Sequence, residues 1–75
     1  MYSYRPVLEW CWSEELGRYQ SYRLECVDET GKCRGWVTDL VCNAEDAKAL
    51  AARWTTGALS PIHLEDAAQD WLAER

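Results

Sequence analysis

His63 is the one histidine of the chain, and Asp66, Asp70 and Glu74 follow it in the same segment. On a helix that starts at Pro61 these side chains share one side, because residues three and four apart are neighbours on a helix surface. An imidazole beside carboxylates can act as a general acid–base pair or supply part of a metal site. The plainer reading is a histidine at a helix start with a solvated acidic face behind it, and that is the expectation here. Cysteine–histidine catalysis needs a thiolate of low pKa within reach of His63. Cys42 is the candidate, since it lies at the start of a helix whose dipole favours a thiolate. No glycine-rich loop, nucleophile elbow or oxyanion-hole motif accompanies it. The four cysteines, Cys11, Cys26, Cys33 and Cys42, are 15, 7 and 9 residues apart, without the C-x-x-C pair of a zinc knuckle. The expectation is no catalytic residue, no metal and no cofactor, with the thiols serving as small hydrophobes. A small enzyme or metal-binding protein centred on His63 with Asp66 and Asp70 is the alternative.

Residues 1 to 42 must position these groups as strands. Leu8, Trp10 and Trp12 alternate with Val7, Glu9 and Cys11, a period of two. Gly17 and Gly31 sit in turn segments at the left-handed position such turns need. Tyr22, Leu24 and Cys26 alternate with Ser21, Arg23 and Glu25, and Cys33 to Val41 forms a third strand. Setting Glu14 against Arg18 places Trp10 opposite Tyr22, Leu8 opposite Leu24 and Glu9 opposite Arg23. Setting Asp28 against Lys32 places Leu24 opposite Trp36 and Tyr22 opposite Thr38. Both hairpins then put Leu8, Trp10, Trp12, Tyr22, Leu24 and Trp36 on one face, and Cys26 and Cys33 on opposite faces.

From Asn43 the period changes. Asn43 is a good N-cap, with Glu45 and Asp46 in the first turn, where the helix dipole favours acids. Ala47, Leu50, Ala51 and Trp54 form one apolar stripe. Gly57 is the expected C′ residue of this helix. Ser60-Pro61 reads as a cap followed by a first-turn proline, and Leu64, Ala67, Ala68, Trp71 and Leu72 give a second stripe. The predicted fold is α+β: a three-stranded antiparallel meander followed by two helices on one face, in the order βββαα, as a two-layer sandwich. Trp10, Trp12 and Trp36 from the sheet meet Trp54 and Trp71 from the helices in the core. A single domain over residues 1–75 is expected, since 75 residues bury only about 60% of their unfolded surface and need bulky core residues or self-association.

The segment Leu59-Ser60-Pro61-Ile62-His63-Leu64-Glu65-Asp66-Ala67-Ala68-Gln69-Asp70-Trp71-Leu72 resembles the closing helix of a family of small, functionally uncharacterised clostridial proteins. The Leu-Ser-Pro-Ile-His-Leu run and Asp39-Leu40 carry the resemblance, which is loose over residues 1 to 35. The chain departs from the family's pattern at Cys42-Asn43, where a Ser or Thr cap would be usual, and at Trp71 in place of phenylalanine. The resemblance implies a bacterial cytosolic protein and supplies no ligand and no catalytic residue.

Charge and composition narrow the function. Thirteen acidic against eight basic residues give a net charge of −5. Residues 1 to 42 hold five basic and seven acidic side chains, so the positive groove that single-strand nucleic-acid binders place beside their aromatics is absent. A hydrophobic content of 48% is too high for a disordered tail. No run of about 18 apolar residues predicts a membrane span, and no signal peptide is visible. A cytoplasmic location follows as the expectation. The sheet face away from the helices is expected to carry Val7, Cys11, Val27, Val37 and Val41 among polar neighbours, a half-apolar surface suited to a second copy. Asp66 and Asp70 on the outer face of the last helix are a second candidate surface, for a basic partner. The expected function is a small non-catalytic protein–protein interaction or regulatory module of the bacterial cytosol, acting on a protein partner or by self-association, without nucleic acid or membrane.

Overall fold

A computed structural model describes residues 1–74. Strands β1 (Ser3–Ser13), β2 (Gly17–Val27) and β3 (Cys33–Val41) form one antiparallel sheet in the order β1-β2-β3. Helices α1 (Ala44–Thr56) and α2 (Leu64–Ala73) follow, so the fold is α+β of the βββαα type. The two hairpin turns have the chemistry that the glycines suggested. Gly17 and Gly31 take φ +69° and +85°, a region that costs an L-residue about 1–2 kcal/mol. Asn43 caps α1, its side chain accepting from the backbone N–H groups of Glu45 (2.8 Å) and Asp46 (3.2 Å).

The core lies between one end of the sheet and the helices. Tyr4, Leu24, Cys26 and Val41 from the sheet meet Ala47, Leu50, Ala51 and Trp54 of α1 and Leu64 and Ala68 of α2. Tyr4 and Trp54 pack edge to face with ring centroids 5.5 Å apart. Helix α2 approaches β3 at Gly35, where an added Cβ would stand 3.6 Å from Leu64 Cδ2 and 4.0 Å from Pro61 Cβ.

Two register differences reshape the sheet faces. In the first hairpin Ser13 pairs with Gly17, Trp10 with Gln20, and Leu8 with Tyr22. The shift of two residues from the predicted pairing leaves each side chain on its predicted face, because the strand period is two. In the second hairpin Val27 pairs with Cys33 but Cys26 with Gly35, so Arg34 is an extra residue. This bulge turns everything beyond it over. Trp36 pairs with Glu25 on the polar face, and Val37 pairs with Leu24 on the helix side. A second irregularity follows at Asp39, with φ +50°; it slips the pairing by two residues, so that Val41 stands on the helix side opposite Tyr22. Val37 and Val41 were expected on the open face; Val41 is instead buried in the core and Val37 packs against it.

The five tryptophans do not share one core. Trp54 is buried and Trp71 partly so, whereas Trp10, Trp12 and Trp36 are 60%, 68% and 58% exposed. Trp36 is exposed because of the bulge. Trp10 and Trp12 are exposed because the helices are too short to reach them: eleven strand residues span about 36 Å, thirteen helical ones only about 20 Å.

The helix ends also differ in detail. Gly57 takes φ −77°, and Ala58, at φ +53°, occupies the left-handed position. Leu59 N–H donates to the Trp54 carbonyl (3.1 Å) and Ala58 N–H to that of Thr55 (3.1 Å), the paired bonds of a Schellman motif. Pro61–His63 is one turn of 3₁₀ helix, and α2 proper starts at Leu64. Ser60 makes no side-chain cap; its carbonyl accepts from His63 N–H instead (3.0 Å).

Candidate interaction surface

Leu8, Trp10 and Trp12 occupy every second position of β1 and so share a face. It is the face that carries Tyr4 and the core, continued beyond the edge of the helices. The first hairpin therefore projects, and the molecule measures 39 Å along its long axis. Leu8 is 50% exposed, and Leu16 at the hairpin tip 71%. The Arg18 guanidinium lies over the Trp10 ring, 4.7 Å from its centroid, a cation–π contact across the hairpin. Tyr22 joins this ribbon to the core. Chain length holds the signal that these residues stay outside: two short, alanine-rich helices have too little apolar stripe to cover two eleven-residue strands.

The opposite face is polar and internally paired. Glu25 receives Arg5 (Nε 3.0 Å) and Arg23 (Nη2 2.6 Å). Burial pushes the Glu25 carboxyl up, but the two guanidinium bonds outweigh it and its pKa is lowered. Arg23 also approaches Glu9 at 4.0 Å, across the diagonal rather than directly opposite as predicted. Glu9 accepts from Asp39 N–H (2.9 Å), and the Tyr19 hydroxyl donates to Asp39 (2.6 Å). That bond and burial raise the Tyr19 pKa to about 12. Cys11 lies here, half-buried, its thiol pushed up by burial and by Asp39 and Glu9. Val7 and Val27, also half-buried, share this face, so of the five predicted open-face residues Val7, Cys11 and Val27 remain on it. The network ties the strands to one another through Arg5, Arg23 and Glu25, and it leaves the buried Nε of Arg23 without a hydrogen-bond partner among the described residues.

The other candidates lie apart. Asp66 and Asp70 are exposed on α2, Glu74 pairs with Arg53 (3.5 Å), and His63 is exposed. Among the described residues no three His, Cys, Asp or Glu side chains gather as metal ligands, so His63, Asp66 and Asp70 are not brought together. Cys42 is exposed just beyond one end of β3, while the turn holding His63 packs at Gly35 near the other. Seven residues of strand at about 3.3 Å each keep them about 20 Å apart, too far for a thiol–imidazole pair. A cleft of about 300 Å³ between β3 and the 3₁₀ turn, lined by Gly35, Trp36, Val37, Pro61, Ile62, Leu64 and Glu65, holds a single ionisable side chain. Among the described residues no helix is long and apolar enough to cross a membrane. No protein-family model, curated protein or solved structure matches the chain.

Proposed function

We propose that the chain is a small non-catalytic protein–protein interaction module of the bacterial cytosol, and that it binds through the projecting face of Leu8, Trp10 and Trp12. One observation carries the reading: three successive positions on one strand face expose large apolar side chains, two of them half or more bare tryptophans. Contiguous exposed apolar surface on a small domain marks a contact site, and tryptophan is among the residues most enriched where binding energy concentrates. The net charge of −5 disfavours a phosphate-rich partner, so the partner is a protein.

A photo-reactive phenylalanine analogue placed at position 12, in the cell that makes the protein, tests this. Irradiation should give an adduct of discrete mass. The same analogue at Lys48, exposed on the outer side of α1, should give none. Equal adducts at both positions, or none at position 12, would remove the reading.

A further inference from the structure

We infer that the occupant of this face is a second copy of the chain, joined edge to edge along β1 with the two-fold axis at Trp10. The inference rests on the reading of Leu8, Trp10 and Trp12 as a contact surface, and adds to it the partner and the register.

Strand β1 is an edge of the sheet. Tyr4 N–H donates to Thr55 Oγ1 at 2.8 Å, so at Tyr4 the backbone points away from β2. Outward groups recur at every second residue of an antiparallel strand, which makes Pro6, Leu8, Trp10 and Trp12 the next ones. Thr55 closes the edge at Tyr4, Pro6 has no N–H to offer, and the turn after Ser13 ends it. The outward N–H and C=O groups of Leu8, Trp10 and Trp12 have no partner among the described residues. The open stretch is thus Val7 to Ser13, and its centre is Trp10.

The other edge is guarded. Strand β3 carries two irregularities and the charged Arg34 and Asp39, devices that discourage edge pairing. The distal half of β1 has no irregularity, and its one charged residue, Glu9, is engaged by Asp39 N–H and Arg23 on the polar face.

Antiparallel pairing about Trp10 is self-complementary. Trp10 meets its own copy, Leu8 meets Trp12, and on the polar face Glu9 meets Cys11 and Val7 meets Ser13. No like charges oppose one another. The neighbouring registers are poorer. An axis at Glu9 sets two carboxylates face to face, which destabilises a sheet. An axis at Leu8 runs Trp12 onto Tyr4, whose N–H is already taken. An axis at Cys11 runs Leu8 onto the turn at Glu14. The Trp10 register alone uses all three open residues, giving about six inter-chain hydrogen bonds, two for each of three bonded pairs. Two tryptophans at up to about 150–250 Å² each, with Leu8 and the strand backbone, supply much of the ~800 Å² per partner of a stable interface.

Light scattering and disulfide mapping test the pairing. The wild-type chain should scatter at twice its 8.7 kDa mass at high micromolar concentration. Trp10→Lys, which puts like charges on the axis, should weaken association at least tenfold with an unchanged circular dichroism spectrum. In a Cys11→Ser, Cys33→Ser, Cys42→Ser background, Trp10→Cys should form a covalent dimer on mild oxidation. Opposed residues of a bonded pair stand about 5.5 Å apart at Cα, within disulfide range. Leu8→Cys and Trp12→Cys should each form no covalent dimer alone and cross-link when mixed. A wild-type mass of 8.7 kDa throughout, an undiminished dimer in Trp10→Lys, or self-linking of Leu8→Cys would overturn the inference. If a monomeric wild type still gives the position-12 adduct with another protein, self-pairing falls while the contact surface stands.

Discussion

The Tyr4 hydroxyl donates a 2.8 Å hydrogen bond to the Leu59 carbonyl, tying the first strand to the loop between the helices. The same ring packs edge to face on Trp54. Burial raises the Tyr4 pKa above its ordinary value, with Cys26 adding to the effect, so the phenol is held as a donor. Tyr4→Phe keeps the ring contact and strands the carbonyl. It should cost about 1–3 kcal/mol, read as a lower urea midpoint with an unchanged slope.

Ala58 holds the left-handed position at the end of α1, at φ +53°. That conformation costs an alanine about 1–2 kcal/mol, part of which glycine's greater unfolded-state freedom returns. Ala58→Gly should therefore stabilise the protein by about 0.5–1 kcal/mol. Gly57→Ala should give no such gain, because Gly57 is at φ −77° and an added Cβ would crowd the Arg53 carbonyl at 3.2 Å. Thermal unfolding of the two variants distinguishes the positions.

How far the sequence reveals the fold can be read from these residues. The first helical stripe, the Asn43 cap and the two turn glycines are local features and each is where the sequence puts it; the second stripe is too, except that Leu72 is 49% exposed. The bulge at Arg34 is not local. Trp36 and Val37 are both apolar, so a shift of one residue leaves an apolar side chain facing the helices either way, and the alternation pattern cannot choose. Tertiary contacts choose instead: Leu64 and Pro61 pack over the backbone at Gly35, and Arg34 is drawn back to Asp28 at 2.7 Å. The exposure of Trp10 and Trp12 is hidden from the sequence for a related reason. Strand phase correctly groups Leu8, Trp10 and Trp12 with Leu24, but phase says nothing about how far a helix extends over the face.

Asp28 organises the second turn and makes it acid-sensitive. Its carboxylate accepts from Thr30 Oγ1 (2.5 Å), Thr30 N–H (2.9 Å), Lys32 N–H (3.1 Å) and Arg34 Nε (2.7 Å). The Thr30 hydroxyl bond, with help from Arg34 and the two amides, holds its pKa well below the usual carboxylate range. A depressed folded pKa gives stability that is fully present above the unfolded value of about 3.9 and lost as pH falls below it. Stability should therefore decline as the solution is acidified from about pH 4. Asp28→Asn should be less stable at neutral pH and lose less on acidification. Parallel slopes for the two proteins in acid would refute the assignment.

Trp54 and Trp12 make the sharpest contrast within one residue type. Trp54 is 7% exposed, at the centre of the core and against Tyr4, while Trp12 is 68% exposed on the projecting hairpin. Trp54→Ala removes a large buried side chain and should cost about 3–5 kcal/mol, most of the stability of so small a domain. Trp12→Ser removes no core contact and should change monomer stability by no more than about 0.5 kcal/mol. The measurement is denaturant unfolding at low micromolar concentration, where association does not contribute. Raising the concentration should then stabilise the wild-type chain more than Trp12→Ser, since binding to the folded state alone adds to its stability by mass action. Equal costs for the two substitutions at low concentration would mean that the hairpin face is part of the core after all.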